Sequence, residues 1–300
     1  MLSQIVSAKF CDLHNHATYG CRKRMLEKWL GRRLDRTPRI FRGFEGMSDY
    51  AKRAILPHIS NREAFEFCIE ATVEAAHHDG IYLLEASVDC RMVKYYPNKE
   101  DGLADFLRRI IWKWAPLITF RPELGVSRAC EWNDVSSAAN ACLDTKIFSS
   151  VDLYGPETLD DDKYKLFYYK AKNCGLKTKA HIGEWAKPSK IVDCVNLLGL
   201  DEVQHGVTAA RCQSTLAWLA KEHVRLNLAP ASNVRLGAVD HSYATYPIRK
   251  FLDAGVRISI GTDDLLFFDR SVKNIVLDLV EAGCISVSEG LQIGRGFEKI

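Results

Sequence analysis

No apolar run in the 300 residues approaches the ~20 needed to cross a bilayer. The opening stretch, MLSQIVSAKF, lacks the basic region and long apolar segment of a secretory signal. A membrane partner is therefore not expected. Charge of either sign is also not in excess: 41 Lys plus Arg stand against 38 Asp plus Glu, leaving +3. That balance gives no reason to expect nucleic acid as a partner. Ten cysteines are scattered along the chain without a single Cys-x-x-Cys pair. They read as reduced, mostly buried thiols, which places the protein in the cytoplasm rather than in a disulfide-bonded secreted class. Internal repeats, low-complexity tracts and Pro/Gly/Ser linkers are missing too, so residues 1–300 read as one domain.

What the chain does have is alternation. Short, β-branched apolar runs recur at Lys9–His14, Ile81–Ser87, Gly125–Cys130, Phe148–Leu153, Lys177–His181, Glu202–His205, Val224–Leu228 and Arg257–Thr262. Helical periodicity fills the intervals, for example Asn61–His78, Asp101–Leu117 and Lys187–Leu198. Gly80, Gly175 and Gly255 sit where a left-handed residue would stop a helix before the next strand. Eight such strand–helix units over about 250 residues predict an α/β fold, the (β/α)8 barrel, with a doubly wound open sheet as the competitor.

A barrel carries its chemistry at the C-terminal ends of its strands. The polar residues there are His14 and His16, Glu85, Asp152 with Gly155, His181 with Glu184, His205, Asn227, and Asp263 with Asp264. In an extended segment His14 and His16 point to one side, so both imidazoles can reach one ion. Taken alone, His-x-His is as readily a surface pair, His181 or His205 a structural histidine, and Asp263-Asp264 a helix cap. Together, three histidines and an aspartate supply the nitrogen and oxygen donors of a catalytic zinc site with an open position.

Across nearly the whole chain the sequence resembles the adenosine deaminase family of the amidohydrolase superfamily. The resemblance rests on His14-x-His16, His181-Ile-Gly-Glu184, His205-Gly206, Ala231-Ser-Asn233…Gly237-Ala-Val239 and Thr262-Asp263-Asp264, in that order, with Asp152-Leu-Tyr-Gly155-Pro-Glu157 between. It implies a metal-dependent hydrolase barrel with one zinc ion per chain, held by His14, His16, His181 and Asp263. It further implies that Glu184 protonates N1 of a purine and that Gly155 meets N3 through its backbone. His205 would orient the attacking water and assist its deprotonation, and Asp264 would hold that water and face N7. The reaction expected is zinc-dependent hydrolysis of a 6-aminopurine nucleoside or related adenine derivative to the 6-oxopurine, with release of ammonia.

The chain departs from the family at one substrate position. Where the family has an aspartate that contacts the ribose 5′-hydroxyl, Thr18 stands here. Nearby, residues 22–42 carry nine Lys or Arg against Glu27 and Asp35. That segment is either a solvated face or a group of cations over the barrel mouth that attracts a phosphate. Phe41 and Phe44 either line an apolar lid or pack locally. Two other functions compete with deamination. Asp12-Leu-His14-x-His16 also opens the polymerase-and-histidinol-phosphatase barrels, which are metal-dependent phosphoesterases, but no distal Asp-x-His follows. A non-catalytic zinc- or purine-binding member would have little chemical reason to keep Glu184, His205 and Asp264 beside all four proposed ligands.

Overall fold

A computed structural model describes residues 2–157 and 160–296. Eight parallel strands lie in sequence order: β1 Phe10–Asp12, β2 Ile81–Asp89, β3 Thr119–Ser127, β4 Ser150–Tyr154, β5 Lys177–Ile182, β6 Glu202–His205, β7 Arg225–Leu228 and β8 Ile258–Ile260. Each pairs with the next in parallel register. Between β1 and β8 the ring is completed just beyond the strands, by a parallel bridge from Asn15 to Asp263. The expected (β/α)8 barrel is the architecture found. No helix among the described residues is long and apolar enough to cross a membrane.

Helices follow the strands where the periodicity places them, including Arg62–His78, Lys99–Trp114 and Pro188–Leu198. Gly80, Gly175 and Gly255 have φ of +80°, +81° and +72°, the left-handed geometry that ends the preceding helix. The Val, Ile, Leu and Phe faces of strands and helices interlock in one continuous buried layer around the barrel. Fully burying each such side chain is worth about 1.5–3 kcal/mol. All ten cysteines are free thiols, and Cys11, Cys21, Cys68, Cys90, Cys142 and Cys194 are buried.

Two parts of the chain differ from the sequence expectation. β3 begins at Thr119, six residues before the expected start, because Arg121, Pro122 and Glu123 read as strand breakers but belong to the strand. Glu85 and Asn227 were expected at the strand ends; both instead project into the barrel interior. There the Lys179 ammonium, with no exposed surface, pairs with Glu85, with Glu123 at 2.6 Å and with Glu202 at 3.5 Å. Asn227 Nδ2 donates to the Glu202 carboxylate and to Gln204 Oε1, each at 2.9 Å. Lys179 also donates to the Leu13 carbonyl at 3.3 Å, and so supports the segment carrying His14 from below.

Candidate active site

The strand ends β1 and β8 are tied by the residues that carry the proposed ligands. Asp263 N–H donates to the His14 carbonyl at 2.8 Å, and His16 N–H donates to the Asp263 carbonyl at 3.2 Å. Beneath them the Asp12 carboxylate accepts from Thr262 N–H at 3.1 Å and from Thr262 Oγ1 at 2.5 Å. Asp263 takes φ of +58° and His205 φ of +66°, a region costly for any residue but glycine. Such strain persists only where the surroundings enforce it, and it clusters at functional sites.

His14, His16 and His181 each bring a ring nitrogen within 4.8 Å of the others, and the same holds for His14, His205 and Asp263. His14 Nε2 and His16 Nε2 lie 3.5 and 3.3 Å from Asp263 Oδ1. His14 Nδ1 donates to the Asn227 carbonyl at 2.9 Å, which fixes its tautomer and turns an Nε2 lone pair into the cluster. Nε2 of His14 and of His181 are buried with no hydrogen-bond partner. Buried polar atoms without partners are rare and call for a ligand. Three imidazoles, two of them with an orphaned nitrogen, and a carboxylate are a donor set that suits a zinc ion.

The charges in this cluster pull against burial. At His16 burial opposes the imidazolium, but Asp264 and Asp263 outweigh it and hold the group up to about 10. Burial also works against the Asp263 carboxylate, yet the His14 and His16 imidazoles beside it keep it ionised well below its ordinary range. At His181 burial dominates and pushes the imidazole down to about 4.

Glu184, His205 and Asp264 border the same buried cluster: His205 Nε2 lies 3.8 Å from Glu184 Oε2 and 4.0 Å from Asp263 Oδ2, and Asp264 brings a carboxylate oxygen within 4.8 Å of His16 and Asp263. Glu184 is pushed well above the carboxylate range by burial, then by Asp263 and Glu157. Its Oε1 accepts from Asn233 Nδ2 at 3.2 Å and its Oε2 from Trp185 Nε1 at 2.9 Å. His205 is held neutral, well below its ordinary pKa, by burial and the neighbouring His14. Asn233 Nδ2 lies 3.2 Å from His205 Nδ1 and its Oδ1 accepts from the Tyr246 hydroxyl at 3.0 Å. An amide N–H donating to Nδ1 leaves the neutral ring's proton on Nε2, which faces Glu184 Oε2 at 3.8 Å. Burial, followed by Asp263, pushes Asp264 up to about 7, and its Oδ1 is buried without a partner. Gly155 follows β4 with φ of +95°, where a side chain would be strained. Thr18 is half-buried beyond His16.

Several residues in this site went unassigned from sequence. Asp152 lies 3.4 Å from His181 Nε2, and both its carboxylate oxygens are buried without a hydrogen bond. Arg128, buried at the end of β3, donates to the His181 carbonyl at 2.9 Å and forms two 2.9 Å bonds to Asp161. The Glu157 carboxylate accepts three successive amides, from Glu184 at 2.8 Å, Trp185 at 3.2 Å and Ala186 at 2.6 Å. Only Asp152 and Glu157 had a sequence signal, since both fall in the segment ending in Gly155-Pro-Glu157. In the basic segment, Arg22 is committed to Asp79 and Asp269, each at 2.6 Å, and Arg33 to Glu27 at 3.0 Å. Arg22, Lys23 and Arg24 line a cavity of about 380 Å³ with Arg235, beside the turn Leu265–Phe268 that follows Asp264. Phe41 packs locally, on Tyr50 and Phe268.

The sequence model of the adenosine deaminase family matches residues 124–282. A Treponema pallidum (strain Nichols) protein named as an adenosine/adenine deaminase is 32% identical over 276 residues, covering 92% of each chain. Among solved structures, the Arabidopsis N6-mAMP deaminase superposes with a TM-score of 0.80 at 15% identity, over 98% of this chain and 93% of that one. An amidohydrolase from Burkholderia ambifaria, solved with bound zinc, gives 0.75 at 16% identity, over 98% and 85%.

Proposed function

The chain belongs to the adenosine deaminase family, whose relatives mark it as a hydrolytic deaminase, and from that premise we propose that it removes the 6-amino group of an adenine-type purine with the help of one bound zinc ion. The observation that carries this reading is the meeting of His14 and His181 nitrogens that lack hydrogen bonds with Asp263 and, across His205, a buried Glu184 carboxyl in one cluster. His14, His16, His181 and Asp263 would hold the ion. Zinc there supplies Lewis acidity that makes water nucleophilic near neutral pH.

The remaining groups supply proton transfer and aim. Glu184, kept protonated by burial, donates its proton to ring N1 as oxygen bonds to C6. Without that proton, negative charge would build on nitrogen as the ring loses aromaticity. His205, with its proton on Nε2, orients the attacking water as a donor. Asp264 is the acceptor on the same side, and the Gly155 N–H meets N3. The C6–N bond then breaks: one water proton leaves with the nitrogen as ammonia, the other restores Glu184, and the 6-oxopurine remains. Thr18 in place of an aspartate removes the charged acceptor for a 5′-hydroxyl, so an adenine base or a 5′-altered nucleoside fits this chain better than adenosine itself.

The experiment is an amine-release screen, reading ammonia from adenine, adenosine, 5′-modified adenosines and AMP and methylamine from N6-methyl-AMP, with metal analysis of the same sample. Ammonia or methylamine from at least one of them, in proportion to bound zinc, is expected. Phosphate release without either amine, or purine binding without turnover at full zinc occupancy, would overturn the proposal.

A further inference from the structure

The two residues Glu184 and Trp185 are adjacent in sequence, yet the indole folds back over its neighbour: Trp185 Nε1 donates to Glu184 Oε2 at 2.9 Å. The ring is partly open to solvent, with 39% of its surface exposed. Here the backbone is fixed first. Glu157 accepts the amides of residues 184, 185 and 186, and Thr208 Oγ1 donates to the Ala186 carbonyl at 2.7 Å. The far edge of the ring lies beside Gly43, where an added Cβ would stand 3.9 Å from Trp185 Cη2. Gly43 opens the helix Gly43–Ala54, so the indole spans from the carboxyl of Glu184 to the helix beside the mouth.

With Asn233 on Oε1 and Trp185 on Oε2, each oxygen of the Glu184 carboxyl has one donor, the first from the helix Pro230–Leu236 and the second from Glu184's own segment. Two fixed donors on two oxygens set the plane of a carboxyl group. A carboxyl free to rotate would present its proton to a ring nitrogen only part of the time. We propose that Trp185 is a positioning residue, which holds the Glu184 carboxyl in the plane from which it protonates the substrate. The proposal rests on the proton-donor role given to Glu184 above. Misplacing a reacting group by about 1 Å can cost roughly 100-fold in rate, so loss of one of two anchors is expected to cost about tenfold or more.

The test compares Trp185→Phe, which keeps the ring and removes the N–H, with Trp185→Gln, which keeps an N–H donor without the ring. Each is made alone and in the Glu184→Gln background and assayed as zinc-loaded enzyme for ammonia release. Trp185→Phe should lower kcat at least tenfold, leave KM and zinc content within about twofold, and be partly rescued by Trp185→Gln. In the Glu184→Gln background, replacing Trp185 should cost nothing further, because the group it positions has gone. Binding of the 6-oxopurine product, measured calorimetrically, should be unchanged. Wild-type kcat in Trp185→Phe, a loss confined to KM or zinc content, or an equal loss in the Glu184→Gln background would each overturn the proposal. Wild-type turnover in Glu184→Gln alone would instead remove the underlying role of Glu184, which separates the two failures.

Discussion

The Asp263 amide donates to the His14 carbonyl at 2.8 Å while the side chains of the same two residues face each other at 3.5 Å, His14 Nε2 to Asp263 Oδ1. One main-chain bond thus completes the ring of strands and sets the spacing of two proposed ligands. Closure of the barrel and the spacing of these two proposed ligands rest on the same contacts. A donor pair built into the barrel wall is held more rigidly than one carried on loops.

Gly261 makes that approach possible. A Cβ there would lie 2.4 Å from His14 Cβ and 2.7 Å from its carbonyl oxygen. Gly261→Ala should therefore cost about 1–3 kcal/mol by overpacking and weaken zinc binding as His14 is pushed aside. Chemical denaturation and a chelator competition check both. An unchanged zinc affinity would show that wall spacing and ligand spacing are independent.

Lys179 carries the positive charge of the barrel interior. Replacing it with Met would leave Glu85, Glu123 and Glu202 buried against one another, and loss of one partner of a buried ion pair costs about 3–5 kcal/mol. The pH dependence has a definite sign. Burial already pushes Glu123 from 4.5 up to about 7, so its effect on stability becomes less favourable as pH rises through that window. Lys179→Met should enlarge this slope, making the variant weakest at high pH and closest to wild type in mild acid. Urea unfolding at pH 5 and pH 8 measures it.

A second pH effect lies far from the site. Hydrogen bonds from Arg249, at 2.8 and 2.9 Å, and from Ser286 lower the Glu289 carboxyl to about 2 from 4.5. A lowered carboxylate contributes stability above pH 4.5 that fades as pH falls toward 2. The pair is partly exposed, so Arg249→Gln should cost no more than about 1 kcal/mol at pH 7. The gap between variant and wild type should close near pH 2 in thermal melts.

These predictions draw on features of unequal visibility in the sequence. The barrel was legible because each strand–helix unit is written locally, in apolar runs and in stops such as Gly80 and Gly175. His14, His16, His181, His205, Asp263 and Asp264 were legible because strand ends of this fold converge in space however far apart they lie in the chain. The interior charges were not, since Glu85, Glu123 and Lys179 break strand patterns that only pairing across the barrel can satisfy. Arg128 on the His181 carbonyl was invisible for the same reason, and Asn233 stood out only as part of the Ala231-Ser-Asn233 motif, without its place between Glu184 and His205: these contacts lie 28 to 53 residues away along the chain. Trp185 was hidden differently, beside Glu184 in sequence but informative only through the direction its indole takes.

The most direct test of the account is ammonia release by Glu184→Gln set against zinc content in the same sample. The carboxamide keeps the shape and cannot deliver the proton, and none of the four proposed ligands is touched. We predict full zinc occupancy with kcat lowered roughly 10²- to 10⁴-fold, the range of a lost general acid. Wild-type turnover at full zinc occupancy would contradict the assignment of Glu184 as the group that protonates the ring.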